Sequence, residues 1–258
     1  MKNKSNFIDI TSTQNDLIKY CVKLQNSQFR KSEKLIFVDG EKTISGLIED
    51  NIEFEYIFLK KEKYNPSIKA KNIVYCNDAI LSKISTLKTP TNIAGIIKEP
   101  KTDKDIFYSM DRIALIENIK DPGNLGTIIR SAAAFSIQGI ILIGECVDIY
   151  NSKTIRATAQ NMFKIPIIHT NIDFIKKLKK THKIISSVID CKNDFFKHNF
   201  EGQFILALGS EASGLSEEMI KISDEKVKIF MDNNVESINL GVFASVAFAY
   251  IRQKYYAN

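Results

Sequence analysis

Short apolar runs alternate with amphipathic or polar stretches along nearly the whole chain. Residues 35–38, 56–59, 73–75 and 93–97 are runs of strand length, rich in β-branched and aromatic side chains. Between them, 41–50 and 79–85 carry helical spacing, and 14–34 reads as one polar, basic helix ending in KSEK. This alternation predicts an α/β unit. The charged, proline-containing stretch EPKTDKD, residues 99–105, reads as the start of a linker. A second alternation follows, with strands over 113–117, 139–143, 165–168, 184–189, 204–208 and 227–230. Its helices fall over 123–135, 152–161 and 174–180, from about 215, and over 240–255. Near-continuous apolar strands separated by helices predict an open, mostly parallel sheet with helices on both faces.

Composition narrows this picture only a little. The 258 residues allow one or two domains, and 44% hydrophobic with 26% charged residues is an ordinary globular mixture. The net charge of +6, from 36 basic and 30 acidic residues, suits a nucleic-acid partner without requiring one. The excess is uneven: Lys2, Lys4, Lys19, Lys23, Arg30, Lys31 and Lys34 face only Asp9, Asp16 and Glu33 in the first 34 residues. Cys21, Cys76, Cys146 and Cys191 form no C-x-x-C, and His169, His182 and His198 form no H-x-x-x-H, so no metal site is predicted. Scattered cysteines and no signal peptide predict free thiols in a reducing cytoplasm. The longest apolar run, 242–251, is about half of what a bilayer span needs, so no membrane partner is expected.

Three stretches carry more than packing. In ENIKDPGNLGTIIRSAAAF, Asp121-Pro122 is an N-cap followed by Pro in the first turn. Leu125, Ile128, Ile129, Ala132 and Ala133 make the buried face. Gly123, Gly126, Thr127, Arg130 and Ala134 leave another face nearly bare, with one guanidinium on it. Two glycines in a first turn cost roughly 1 kcal/mol each against Ala, which points to a close approach to the backbone. Tight helix–sheet packing beside a solvated Arg fits this stretch equally well. In LALGSEASGLSEEM, Gly209 ends a buried strand and Gly214 permits a positive φ. The glycines have P-loop spacing, yet Leu215 and Ser216 stand where a P-loop has Lys and Ser/Thr. Glu211 between them would repel a phosphate and suit a ligand carrying a cation; a strand–helix turn with a capping Glu is the plainer alternative. In IFMDNNVESINLGVFASVAFAYI, Ser237 is a fair N-cap for an apolar helix, and Gly241, Ala244, Ser245, Ala247 and Ala249 allow another helix to come near.

Taken in this order and spacing, the three stretches resemble the motifs of the SpoU/TrmH family of RNA 2′-O-methyltransferases, in the SPOUT superfamily. The first is N-x-x-x-x-x-R at 124–130, the second L-G-x-E-x-x-G-L at 208–215, and the third I-x-M followed by S-[LI]-N over 229–239. FVDGEKTISGLIED and TPTNIAGII resemble segments of that family's N-terminal L30e-like substrate-binding domain. The resemblance implies an L30e-like α/β domain over 1–98, a linker over 99–110, and a SPOUT α/β domain with a deep trefoil knot over 111–258. It also implies a homodimer and S-adenosylmethionine as cofactor, held by backbone near Gly209, Ile229 and Ile238. A sulfonium ligand without phosphate explains the missing P-loop lysine. The chain departs from the family at Phe230, where Pro is usual, at Gln160 and Asn161 in a usually Gly-rich stretch, and at Asp39 for Glu.

The activity so implied is methylation of a ribose 2′-hydroxyl, in ribosomal RNA of the 23S type; transfer RNA, or a non-catalytic role in ribosome assembly, are the alternatives. Asn124, Arg130, Glu211, Ser237 and Asn239 are the expected polar site. Such a transfer requires alignment and stabilisation of a developing alkoxide. An arginine that stays protonated to about pH 12 is a poor base. Arg130 is therefore expected to anchor the target phosphate and stabilise the alkoxide. Asn124 and Ser237 would orient the ribose and the arginine, and Glu211 would fix Arg130 or the third motif's backbone. Lys19, Lys23, Arg30, Lys31 and Lys34 are the expected RNA contacts of the N-terminal domain.

Overall fold

A computed structural model describes residues 5–232, 234, 235 and 237–256. The chain forms two compact units, one of residues up to 100 with 150–160, the other of 101–149 with 161 onward.

In the N-terminal unit, five strands make a mixed sheet in the order β1-β4-β3-β5-β2. They are β1 (Asn6–Ile10), β2 (Leu35–Asp39), β3 (Phe54–Leu59), β4 (Ala70–Cys76) and β5 (Ile93–Lys98). The helices are α1 (Asp16–Lys23), α2 (Ser27–Glu33), α3 (Glu41–Glu49) and α4 (Asp78–Ile84). Ile18, Cys21 and Leu24 pack with Phe37, Phe58, Val74, Ile80 and Ile84 in one buried cluster. The pattern reading passes over β1, a short alternating run beside polar residues whose partner strand lies 66 residues on, Asn6 pairing with Asn72.

The basic stretch expected as one helix is two. Asn26 breaks it, its side chain accepting from Gln28 N at 3.0 Å and Phe29 N at 3.2 Å as the N-cap of α2. Arg30 is buried, 5% exposed, and donates to the carbonyls of Leu24 at 2.9 Å and Gln25 at 3.3 Å. Those carbonyls belong to the turn that closes α1, so the guanidinium satisfies acceptors a helix end leaves open. Arg30 is thus a fastener between two helices, and the expectation that it contacts RNA does not hold. Asparagine, prominent in the composition, recurs in this capping role at Asn15, Asn77 and Asn171.

The second unit holds a six-stranded sheet, all of its pairs parallel, in the order β11-β9-β10-β6-β7-β8. In chain order the elements are β6 (Arg112–Glu117), α5 (Pro122–Ala134), β7 (Gly139–Ile143) and α6 (Ser152–Ala157), the last a member of the N-terminal unit. They continue as β8 (Ile167–Thr170), α7 (Ile172–Leu178), β9 (Lys183–Ser187), β10 (Phe204–Leu208), α8 (Glu217–Ile222), β11 (Glu225–Val227) and α9 (Leu240–Tyr256). Part of the expected linker belongs to this unit's core. Residues Lys104–Ser109 form a 3-10 turn, and Phe107 is fully buried. A Cβ on Gly139 would meet Phe107 Cε1 and Met110 Sδ at 2.6 Å, so a charged stretch hides one anchoring ring.

The bare face of α5 has a plain explanation. A Cβ on Gly241 of α9 would come within 3.1 Å of Thr127, and Ser131 Oγ meets Ser245 Oγ at 2.6 Å. What approaches α5 closely is α9, through the small residues of both helices.

Candidate active site

Strand order reverses beside β6, which lies between its successor β7 and the later strand β10. Ligands of open α/β sheets bind at the carboxyl ends of strands flanking such a point. Here Leu208 of β10 is in register with Ile116 of β6, so the first two motifs leave the sheet side by side. Glu117 ends β6 as a buried carboxylate whose Oε2 accepts from Ser216 N at 2.7 Å, tying the strand to the N-cap of α8. The SEASG loop folds back sharply: Gly214 N donates to Ser210 O at 2.9 Å, and Gly214 has φ +66. A Cβ on Gly209 would run into the backbone of Gly214 and Leu215, so only glycine fits.

The three motifs meet in one hydrogen-bonded chain. Asp121 caps α5 by accepting from Asn124 N at 2.7 Å, as expected. Asn124 Nδ2 donates to Glu211 Oε1 at 3.0 Å, and Asn239 Nδ2 donates to Asn124 Oδ1 at 2.8 Å. Glu211 Oε1 also accepts from Leu240 N at 2.8 Å, at the first turn of α9. Asn239 Oδ1 accepts from Gly241 N at 3.0 Å and Val242 N at 3.2 Å. Each amide orientation is forced, because turning Asn124 over would set its NH2 against that of Asn239 and its oxygen against a carboxylate. The Glu211 charge faces the positive end of α9. Asn239, not Ser237, is therefore the N-cap of α9. Of the two roles open to Glu211, fixing the third motif's backbone is the one realised.

Two expected residues stand outside this chain. Ser237 is exposed and lines the neighbouring cavity. Arg130 is exposed on α5 and lines a separate hollow of about 550 Å³ with Ala133, Ala134, Asn161 and Lys164. Among the described residues no carboxylate lines that hollow, and Lys164 is a second cation there that nothing in the sequence marked.

Beside the Asn124–Glu211–Asn239 chain lies a cavity of about 820 Å³. Gly209, Ile229 and Ile238 all line it. Its rim holds the exposed apolar side chains Ile189 (74%), Phe230 (55%) and Val235 (47%). Among the described residues the charged groups on its wall are Asp190, Glu211, Asp232 and Lys228, and Lys228 Nζ sits 4.6 Å from the centre of the Phe230 ring. An apolar rim with a mainly acidic wall fits a ligand with a flat heterocycle and positive charge, and not a phosphate. A second hollow, about 640 Å³, adjoins it: Ser210, Glu211, Ala212, Ser213 and Leu240 line both. Asn118, Ile119, Lys120, Asp121, Asn124 and Glu145 complete the second among the described residues. Asn118, at φ 58, accepts from Glu145 N at 2.8 Å and so shapes that wall.

A parallel α/β sheet with both hollows at the carboxyl ends of its strands, the smaller one at the switch point, defines an α/β protein with a ligand site at that edge. The comparisons with known proteins make the class specific. Residues 111–249 match the SpoU rRNA Methylase family and residues 15–95 the MRM3-like substrate binding domain. The chain belongs to the SpoU rRNA methylase family. It is 24% identical to the Bacillus subtilis 23S rRNA (guanosine(2553)-2′-O)-methyltransferase RlmP, over 94% of this chain and 98% of that one. It is 29% identical to human mitochondrial rRNA methyltransferase 3 over 57% of this chain and 37% of that one. Its fold matches an AdoMet-bound rRNA methyltransferase from Sinorhizobium meliloti, with TM-score 0.87 at 21% identity, covering 96% of this chain and 98% of that one. AviRb from Streptomyces viridochromogenes, also solved with AdoMet, matches with TM-score 0.83 at 20% identity, covering 95% and 100%.

Proposed function

We propose that this chain methylates a ribose 2′-hydroxyl of ribosomal RNA, with S-adenosylmethionine in the larger cavity and the target nucleotide in the smaller. The observation that carries this is the Asn124–Glu211–Asn239 chain, assembled from three distant segments, whose Glu211 lines both cavities and whose Asn124 lines the smaller. S-adenosylmethionine supplies, when bound, a methyl group made electrophilic by its sulfonium.

The protein's own groups hold and orient. Residues 208–215, Ile229 and Ile238 line the cofactor cavity, with backbone near Gly209, Ile229 and Ile238 to hold the cofactor, and Glu211 and Asp232 favour its positive charge. Asn124 and Asn239 are locked by their mutual hydrogen bond, so their position needs no rearrangement as a ribose arrives. Arg130 and Lys164 hold a target phosphate in the hollow that they line together. Ser237, free at the cavity wall, contributes a hydroxyl toward the ribose. Retention of this polar set supports an enzyme over a non-catalytic assembly factor, and the name of a relative matched over nearly its whole length, a 23S rRNA methyltransferase, supports ribosomal over transfer RNA.

Homodimerisation and the deep trefoil knot belong to the same proposal. The outward face of α9, with Val242 51% and Val246 40% exposed one turn apart, supports pairing of two copies. Because Arg130 stands apart from Asn124 and Glu211, a second copy would complete the site. In the N-terminal unit, Lys19, Lys23, Lys31 and Lys34 are exposed and remain as phosphate contacts.

The test uses purified protein, labelled S-adenosylmethionine and unmodified bacterial ribosomal RNA, with nucleoside mass spectrometry of the digest. A 2′-O-methyl nucleoside, absent with Arg130→Ala, is the expected result. A base-methylated nucleoside would overturn the ribose chemistry. Cofactor binding without transfer to RNA or to ribosomal particles would favour the assembly-factor role.

A further inference from the structure

Strand β1 carries an aromatic group that neither packing nor the methylation site accounts for. Phe7 is 55% exposed on an edge strand. Its ring centre lies 5.7 Å from that of Tyr64, edge-on at 77°, and 5.8 Å from that of Tyr75, tilted at 31°. Tyr64 and Tyr75 are themselves 6.5 Å apart at 86°. Phe7 is in register with Ile73 of β4, so Phe7 and Tyr75, two residues further on, share one face of the sheet. Lys61 Nζ stands 5.8 Å from the Tyr75 ring centre, and Lys63 is exposed beside it in sequence. Lys60, by contrast, is already paired with Asp78 at 2.6 Å. Mutual packing explains the half-buried tyrosines and leaves Phe7 more than half outside.

Charge decides what such a tile fits. Asp9, in register with Tyr75, and Glu62 are exposed there too, so Lys61 and Lys63 do not form a net cationic surface. A duplex, gripped through its phosphates, gains little from such a surface. An unpaired base gains from exposed aromatic rings whatever its identity, and one or two lysines suffice for its flanking phosphates. We propose that Phe7, Tyr64 and Tyr75, with Lys61 and Lys63, form a platform on which an unpaired RNA base stacks. This rests on the reading of the chain as an RNA-acting protein and adds a contact of the N-terminal unit that stacks rather than pairs charges.

The chain contains no tryptophan, so Phe7→Trp places a single fluorescent reporter on the platform. Titrating that full-length variant with single-stranded oligoadenylate should quench the indole, and a duplex of equal length should not. Phe7→Leu keeps apolar volume and removes the ring. It should bind the single strand about tenfold more weakly, by fluorescence anisotropy, with duplex affinity unchanged. Circular dichroism confirms that the variant is folded. Absence of quenching, or an unaltered single-strand affinity in Phe7→Leu, would overturn the platform. So would a change in sedimentation of Phe7→Leu with RNA affinity intact, which would assign the edge of β1 to a second copy. Methyl transfer measured on the same proteins separates the two readings, since stacking without transfer removes the enzyme and leaves the platform.

Discussion

Two polar knots, one in each unit, pin loops at sheet ends, and they differ in what they leave open. In the N-terminal unit Asp39 is 4% exposed, and its carboxylate accepts from Thr86 N at 2.6 Å, Thr86 Oγ1 at 3.0 Å and Ser85 Oγ at 3.2 Å. Thr86 Oγ1 in turn accepts from Arg156 at 2.8 Å, which fastens α6 to the same loop. In the second unit Glu211 and Asn239 are exposed, Asn124 lines the smaller hollow and Glu211 lines both. The arginines repeat the contrast. Arg30 is spent on two carbonyls, whereas Arg130 is exposed in a hollow lined, among the described residues, by no acid. A network closed on all sides stabilises; one rigid inside and open outside is positioned to act on something else.

The sharpest way to break this comparison is to cut the open network. Asn124→Ala should lower methyl transfer by about 10²–10³-fold while the melting temperature moves little, a split read by single-turnover assay beside thermal denaturation. A large loss of stability instead would make the network structural, like that of Asp39. Next comes Asp39→Ala, which takes their acceptor from Thr86 N and from the part-buried hydroxyls of Ser85 and Thr86. It should cost about 1–3 kcal/mol in urea unfolding, with cofactor affinity unaltered by calorimetry. Arg30→Met should cost about 1–2 kcal/mol and leave the salt dependence of RNA binding where it was. Lys31→Gln with Lys34→Gln should do the reverse, lowering the slope of log K against log salt by about 0.7–0.9 per lysine. Equal slopes for Arg30→Met and the lysine pair would return Arg30 to the RNA surface.

The smallest effect concerns protons. Burial pushes the thiols of Cys21 and Cys76 up to about 12, so both should resist alkylation at pH 8 until the protein unfolds. Burial also lowers the pKa of His198, with Glu225 opposing and Lys183 reinforcing the shift. A histidine that protonates more readily when unfolded favours the fold above its unfolded pKa of about 6.5. That contribution is lost as pH falls below this value, so His198→Phe should flatten the acid limb of stability measured between pH 7 and 5.

Much of this protein was legible along the chain. Both α/β alternations, the parallel second sheet, the Asp121 cap and the start of α9 at Leu240 follow from local periodicity and cap chemistry, which depend on neighbours a few residues away. The ordered motifs identified the family and brought Asn124, Glu211 and Asn239, which the fold joins in one hydrogen-bonded chain, forward as candidates. Local pattern could not show that Asn26 ends one helix and starts another, that Arg30 turns inward, or that Phe107 anchors a charged linker. In each case the deciding partner lies elsewhere in the fold, as carbonyls at a helix end or as a cleft above Gly139. Nor could it choose between Arg130 and α9 as the partner of Glu211, or distinguish a ligand from a neighbouring helix as what crowds α5. Those choices depend on distances between segments up to 115 residues apart, as between Asn124 and Asn239. Chain spacing carries no such distances; packing sets them.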